Sequence, residues 1–100
     1  MAALRVLIAD DHQVVRSGLR QMIASQGDMR LVGECRTGRE VLDQMRAEPT
    51  DVLLLDLSLP DMSGLDVLRQ IKAHHDKVAV LVVSGYPESQ FGLNVLRAGA

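Results

Sequence analysis

Three aliphatic runs in this 100-residue chain end on residues that could do chemistry with phosphorus or a hard metal ion. Residues 4–9 are followed by Asp10, Asp11 and His12, residues 52–55 by Asp56, and residues 78–83 by Ser84 and Gly85. Carboxylates gathered at one place repel. Two unit charges about 4 Å apart cost on the order of 4 kcal/mol at an effective dielectric of 20. A divalent cation among them removes that cost. Hard oxygen donors favour Mg²⁺, which takes one or two carboxylates together with waters and phosphate oxygens. A carboxylate beside such an ion is a nucleophile toward phosphorus, because the metal screens it from the incoming phosphoryl group. Its attack leaves an acyl phosphate on the protein. The Ser84 hydroxyl and the N–H groups just after it are placed to read the added phosphate.

Taken one at a time, these residues are ordinary. An Asp after a strand is commonly a turn former or helix N-cap, Ser84 before Gly85 is a turn pair, and Asp56 with Pro60 is a loop. Only their joint placement on one sheet edge is specific. His12 reads as an early helix residue near that edge rather than as a ligand. His74 and His75 read as the end of a helix, where a cationic side chain is mildly favoured. Arg16 and Arg20, four apart, read as a solvated helix face. Cys35 reads as a small buried hydrophobe.

The joint placement comes from the elements. The runs at 4–9, 29–35, 52–55 and 78–83 are nearly continuous Val, Leu and Ile without polar alternation, the pattern of strands covered on both faces of a parallel sheet. Helical spacing lies between them. Val15, Leu19, Met22 and Ile23 share one helix face; Val41, Leu42 and Met45 mark a second helix, stopped by Pro49; Leu65, Leu68 and Ile71 mark a third, with Ser63 as N-cap. A fourth helix is expected from Pro87, with Phe91, Val95 and Leu96 on its apolar face. Strict β-α alternation implies a doubly wound α/β fold with right-handed crossovers. In such sheets ligands bind at the carboxyl ends of the strands, where Asp10, Asp11, Asp56 and Ser84 fall.

Composition narrows the class. The chain is 47% hydrophobic but only 2% aromatic, so its core is aliphatic. A net charge of −2 gives no basic footprint for nucleic acid. The lone Cys35 cannot form an internal disulfide, which suits a reducing, cytoplasmic setting. The N-terminal apolar run is too short and too acidic for a signal peptide, and no run reaches a membrane span of roughly 18 residues. No linker or repeat interrupts what reads as one domain over residues 1–100.

The segments LRVLIADDHQVVRSGL, DVLLLDLSLPDMSGLDVLRQI, VAVLVVSGYPE and VLRAGA resemble the receiver domain of two-component response regulators, in the NarL/FixJ (LuxR-type) group. Asp56, Pro60 and Gly64 match the family pattern D-x-x-x-P-x-x-x-G. The resemblance covers essentially the whole chain. It implies the flavodoxin-like (CheY-like) fold with strand order 2-1-3-4-(5). It implies that Asp56 takes a phosphoryl group from a sensor histidine kinase, as a signalling domain rather than an enzyme. Asp11, Asp56 and the Ser58 carbonyl would bind Mg²⁺, Asp10 would help through water, and Ser84 would be the switch hydroxyl. A LuxR-type helix-turn-helix domain is expected in the parent protein, giving a transcription factor that meets DNA through that domain.

The chain departs from the family pattern at its end. The family's fifth strand, the phosphate-binding Lys after it and the fifth helix are not found before Ala100. Tyr86, Lys72 and Lys77 are misplaced to substitute for the missing aromatic and Lys. The expectation is a truncated receiver whose strand at 78–83 is an apolar sheet edge: either the natural chain continues past Ala100, or another chain, such as a second copy, completes the sheet. Two other functions fit the same edge. One is a pseudo-receiver that only binds partners. The other is a phosphohydrolase of the haloacid dehalogenase type, which needs a second Asp two residues after the nucleophile, where this chain has Ser58.

Overall fold

A computed structural model describes residues 3–84 and 94–98. Its elements are β1 (Leu4–Ala9), α1 (Gln13–Ala24), β2 (Met29–Cys35), α2 (Gly38–Ala47), β3 (Val52–Asp56), α3 (Gly64–His74), β4 (Ala79–Ser84) and β5 (Asn94–Ala98). They form one sheet in the order β2-β1-β3-β4-β5. The first four strands pair in parallel, as the aliphatic runs require.

Successive strand residues feed opposite faces. Leu7, Ala9, Leu53 and Leu55 pack with Val41, Met45, Val67 and Ile71 under α2 and α3. Val6, Ile8 and Leu54 pack with Leu19 and Ile23 under α1. Cys35 is buried in the first cluster, and burial pushes its thiol up to about 12, so it sits there as an inert hydrophobe. Ser63 caps α3 by accepting the Leu65 N–H at 3.1 Å, and His74 and His75 stand at that helix's C-terminus.

Three expectations are corrected. The buried face of α3 is Gly64, Val67 and Ile71, while Leu65, one position further round, is exposed. Met22 of α1 is also exposed, because the Val15–Leu19–Ile23 row alone fills the gap to the sheet. The larger difference concerns the open edge at 78–83 and the helix expected from Pro87; the family's parallel fifth strand is not among the described elements. Asn94–Ala98 forms a strand antiparallel to β4, pairing Ser84 with Asn94 and Val80 with Ala98. Val95 and Leu96, read as a helix face, belong to it. An apolar edge offers unpaired N–H and C=O groups, and a nearby aliphatic segment satisfies them by pairing. The other residues of that expected helix, Pro87 and Phe91, lie outside the described residues, as do Gly85 and Tyr86.

The opposite end of the sheet is closed by an ion pair. Asp51 accepts from the Arg5 backbone N–H at 2.8 Å and from its guanidinium at 2.9 and 3.0 Å. The Asp51 N–H and C=O bond Arg5 and Ala79, tying β1, β3 and β4 together. The Arg5 hydrogen bonds hold the Asp51 carboxyl down at about 2, from an ordinary 3.8. A depressed carboxyl contributes stability above its unfolded-state value and loses it as pH falls through the folded-state one. The pair is therefore expected to weaken between about pH 4 and pH 2. An acid titration followed by circular dichroism should show a shallower loss over that window in Asp51→Asn than in the parent.

Candidate functional site

At the carboxyl end of the sheet β1 and β3 are neighbours, so the residues that leave these two strands must converge. Asp10 comes directly after Ala9, Asp11 starts the turn into α1, and Asp56 is the last residue of β3. Ligand atoms of Asp10, Asp11, His12 and Asp56 all lie within 4.8 Å of one another. The Asp10 and Asp56 side chains are only 4% and 6% exposed, so two carboxylates sit in low dielectric at the floor of the cluster.

This placement sets the electrostatics. Burial, then the nearby Asp10 and Asp11 charges, raise the Asp56 carboxyl above its ordinary value, while the Ser58 N–H, 2.9 Å from Oδ1, opposes the shift. The His12 ring stands against this acidic cluster. The His12 Nδ1 lies 2.8 Å from Asp10, 3.1 Å from Asp11 and 3.7 Å from Asp56. Its hydrogen bond to Asp10, together with the charges around it, raises the imidazole. His12 is not an early helix residue. It is the extended N-cap of α1, and its own N–H bonds Asp10 Oδ1 at 2.7 Å. Nothing in its spacing separates it from a helix residue; the signal was its position directly after two acids.

This donor set fits a hard divalent ion. Oxygen atoms of three carboxylates lie within 4.8 Å of one another, and the His12 Nδ1 stands among them. That ring is 63% exposed, so it can leave without disturbing the core.

Two loops hold the cluster. The Asp10 N–H donates to the Cys35 carbonyl at 2.9 Å, joining the β1 end to β2. After Asp56 the chain turns through Pro60 and returns, with the Gly64 N–H on the Leu57 carbonyl at 3.2 Å. Asp61 in this loop caps α2 from outside, taking the Gly38 N–H at 2.7 Å and the Arg39 N–H at 3.0 Å. Those bonds, the Gly38 one foremost, hold its carboxyl below the usual range. Sequence spacing does not reveal Asp61, because its partners lie more than twenty positions earlier.

Of the other expected site residues, Ser58 is exposed and its N–H faces Asp56. Ser84 ends β4, one position past Val83, the partner of Asp56. The backbone after Ser84 lies outside the described residues. Arg16 is not on a solvated face; its side chain is 12% exposed and reaches the Asp10 carbonyl.

Comparison with known proteins agrees with this geometry. The response regulator receiver domain profile matches residues 6–100. An uncharacterized transcriptional regulatory protein of Bacillus subtilis, YhcZ, is 36% identical over 97 residues, covering 97% of this chain and 45% of that protein. Response regulator GacA of Pseudomonas viridiflava is 35% identical over the same shares of the two chains. The chain thus spans about half the length of the curated relatives it matches. Among solved structures, the Salmonella typhimurium response regulator RcsB, described for its conformational dynamism in DNA interaction, superposes with a TM-score of 0.80 at 27% identity. That match covers 86% of this chain and 44% of the other. The isolated receiver domain of RcsB, solved with the phosphomimetic BeF3⁻, gives 0.79 at 26% identity, covering 86% of this chain and 64% of the other. Among the described residues no helix is long and apolar enough to cross a membrane. Sheet order, acidic edge and relatives agree: the chain belongs to the response regulator receiver domain family of two-component systems.

Proposed function

We propose that this receiver accepts a phosphoryl group on Asp56 from a phosphohistidine of a sensor histidine kinase. The observation that carries this is the convergence of Asp10, Asp11 and Asp56 around one cation position, with Asp56 buried and held by the Ser58 N–H. Asp11, Asp56 and the Ser58 carbonyl would hold Mg²⁺, and Asp10 would assist through water. Bound there, the ion supplies charge screening between carboxylate and phosphoryl oxygens.

The residues do the rest. The Ser58 hydrogen bond fixes the Asp56 carboxylate through Oδ1, and one oxygen of that carboxylate is the attacking atom. That oxygen forms a bond to phosphorus as the P–N bond of the donor breaks. The electron pair of the broken bond stays on the donor imidazole, which takes up a proton. The exposed His12 side chain would give up its place beside Asp10 for Mg²⁺ to be held there. Ser84, at the end of the neighbouring strand, supplies the hydroxyl that answers the new phosphate. In the parent protein this charge change would bias a two-state surface read by a LuxR-type helix-turn-helix domain, making a cytoplasmic transcriptional regulator.

The test is incubation with a small acyl phosphate and Mg²⁺, read by intact-mass spectrometry. One labile phosphoryl adduct is expected, mapped to Asp56, and none forms when a chelator replaces Mg²⁺. An adduct on another residue, or one indifferent to the chelator, would sink this reading.

A further inference from the structure

We infer that Arg16 is a positioning residue for the acidic cluster: fixed by Glu34, its guanidinium holds the Asp10 carbonyl and so orients the peptide that carries Asp11. The inference rests on reading the cluster as a Mg²⁺ site.

The Arg16 Nη1 donates to the Asp10 carbonyl at 2.7 Å, and its Nε lies 3.5 Å from Glu34 Oε1. A guanidinium this deep needs both a counter-charge and a hydrogen-bond acceptor, and these two groups provide them. The Asp10 N–H is on Cys35, ahead of that peptide, and its Oδ1 takes the His12 N–H, beyond it. That turn closes around the Asp10–Asp11 peptide but does not hold its carbonyl. The Arg16 bond fixes the carbonyl, and with it the tilt of the peptide that aims the Asp11 carboxylate.

Glu34 is in place because of a break in register. β1 pairs Val6 with Leu31 but Leu7 with Gly33, so β2 carries one extra residue, Val32. The slip turns Glu34, the partner of Ile8, onto the α1 face, where it meets Arg16 and Arg20. Arg20 reaches the same carboxylate at 3.0 Å from an exposed position, and none of its bonds goes to the Asp10 turn. It is a natural control.

Charge and position predict opposite signs. Removing a cation near a cation site should, by charge alone, tighten Mg²⁺ binding. Loss of positioning should weaken it, on the order of tenfold or more. The experiment is calorimetric Mg²⁺ titration of the chain and of Arg16→Ala, Arg16→Lys and Arg20→Ala. The Asp11 amide is tracked by NMR, and melting curves establish the folded fraction. Arg16→Ala is expected to bind at least about tenfold more weakly and to shift the Asp11 amide before any metal is added. Arg16→Lys, a single-point donor, should recover part of the loss. Arg20→Ala should stay within about twofold, as an exposed pair is worth little. If Arg16→Ala does not fold, Arg16→Lys and Glu34→Gln carry the test, each expected to weaken binding. Unchanged or tighter binding in the folded Arg16 variants overturns the inference, and so does an equal loss in Arg20→Ala. If the unsubstituted chain itself takes no Mg²⁺, the proposed function fails and this inference fails with it. If that chain binds and Arg16→Ala matches it, only this inference fails.

Discussion

Asp56→Asn is expected to abolish the phosphoryl adduct completely and, in the absence of metal, to make the protein more stable. The two effects have one cause. Asp56 is a buried carboxylate beside Asp10 and Asp11, and each like-charge pair near 5 Å costs on the order of 3 kcal/mol at an effective dielectric of 20. His12 offsets part of this from an exposed ring. An Asn keeps the shape and the acceptor for the Ser58 N–H but carries no charge and cannot attack phosphorus. A net gain of about 1–2 kcal/mol is expected, a rise in Tm on the order of 5–15 °C for a domain of this size. Mg²⁺ should reverse the order, because an ion that binds the folded parent more tightly than the variant stabilises the parent more. Melting curves in chelator and in excess Mg²⁺ check both signs. A variant that melts below the parent in chelator would refute the repulsion argument, and one that still gains the adduct would refute the acceptor assignment.

The pH dependence has a matching sign. The folded-state Asp56 carboxyl ionises above its ordinary value of 3.8, so the folded chain holds a proton that the unfolded chain has released. That contribution is complete below about pH 4 and is lost as pH rises through the folded-state value. The parent should gain on Asp56→Asn as pH is lowered toward 4, the reverse of the Asp51 effect below that pH.

What the sequence shows of this fold is what depends on local pattern. Apolar-rich runs mark β1 and β2 at their observed ends and β3 and β4 to within a residue, most cleanly in β3 and β4, which have strand neighbours on both sides. The meeting of Asp10, Asp11 and Asp56 is legible for the same reason: strand ends are where such sheets bind. Features that depend on a partner far along the chain are not legible. Glu34 and Arg16 look like surface charges until a one-residue slip in β2 brings them together. Asp61 looks like a loop acid until α2 is laid against it. Asn94–Ala98 has helical spacing, yet it pairs with β4, where the demand of an open edge overrides local preference.

Gly64→Ala is expected to be the most destabilising single-methyl change among the described glycines, while Gly18→Ala stabilises. Gly64 opens α3 and is buried against the return of the acceptor loop. A Cβ there would overlap the Leu57 Cα and lie 2.7 Å from its Cδ2. Main chain cannot yield as a flexible side chain can, and Leu57 comes directly after Asp56. Relief would require moving the acceptor loop and losing the Gly64 N–H bond to the Leu57 carbonyl. Overpacking of this kind costs about 2–3 kcal/mol, a fall in Tm on the order of 10–20 °C. Gly38 is a milder case, since its Cβ would meet side chains only, Cγ and Sδ of the flexible Met62 and, at 2.9 Å, Cγ2 of Val67. Gly18 lies within α1 with nothing within 4 Å of its added carbon, so alanine there should gain about 0.5–1 kcal/mol through helix propensity alone. Thermal melts of the three variants should therefore rank Gly18→Ala above the parent, Gly38→Ala below it and Gly64→Ala lowest. Gly64→Ala should also lose phosphoryl uptake, because its strain falls on the residue next to Asp56. A Gly64→Ala protein that melts with the parent and phosphorylates normally would mean that the loop has slack the packing does not show.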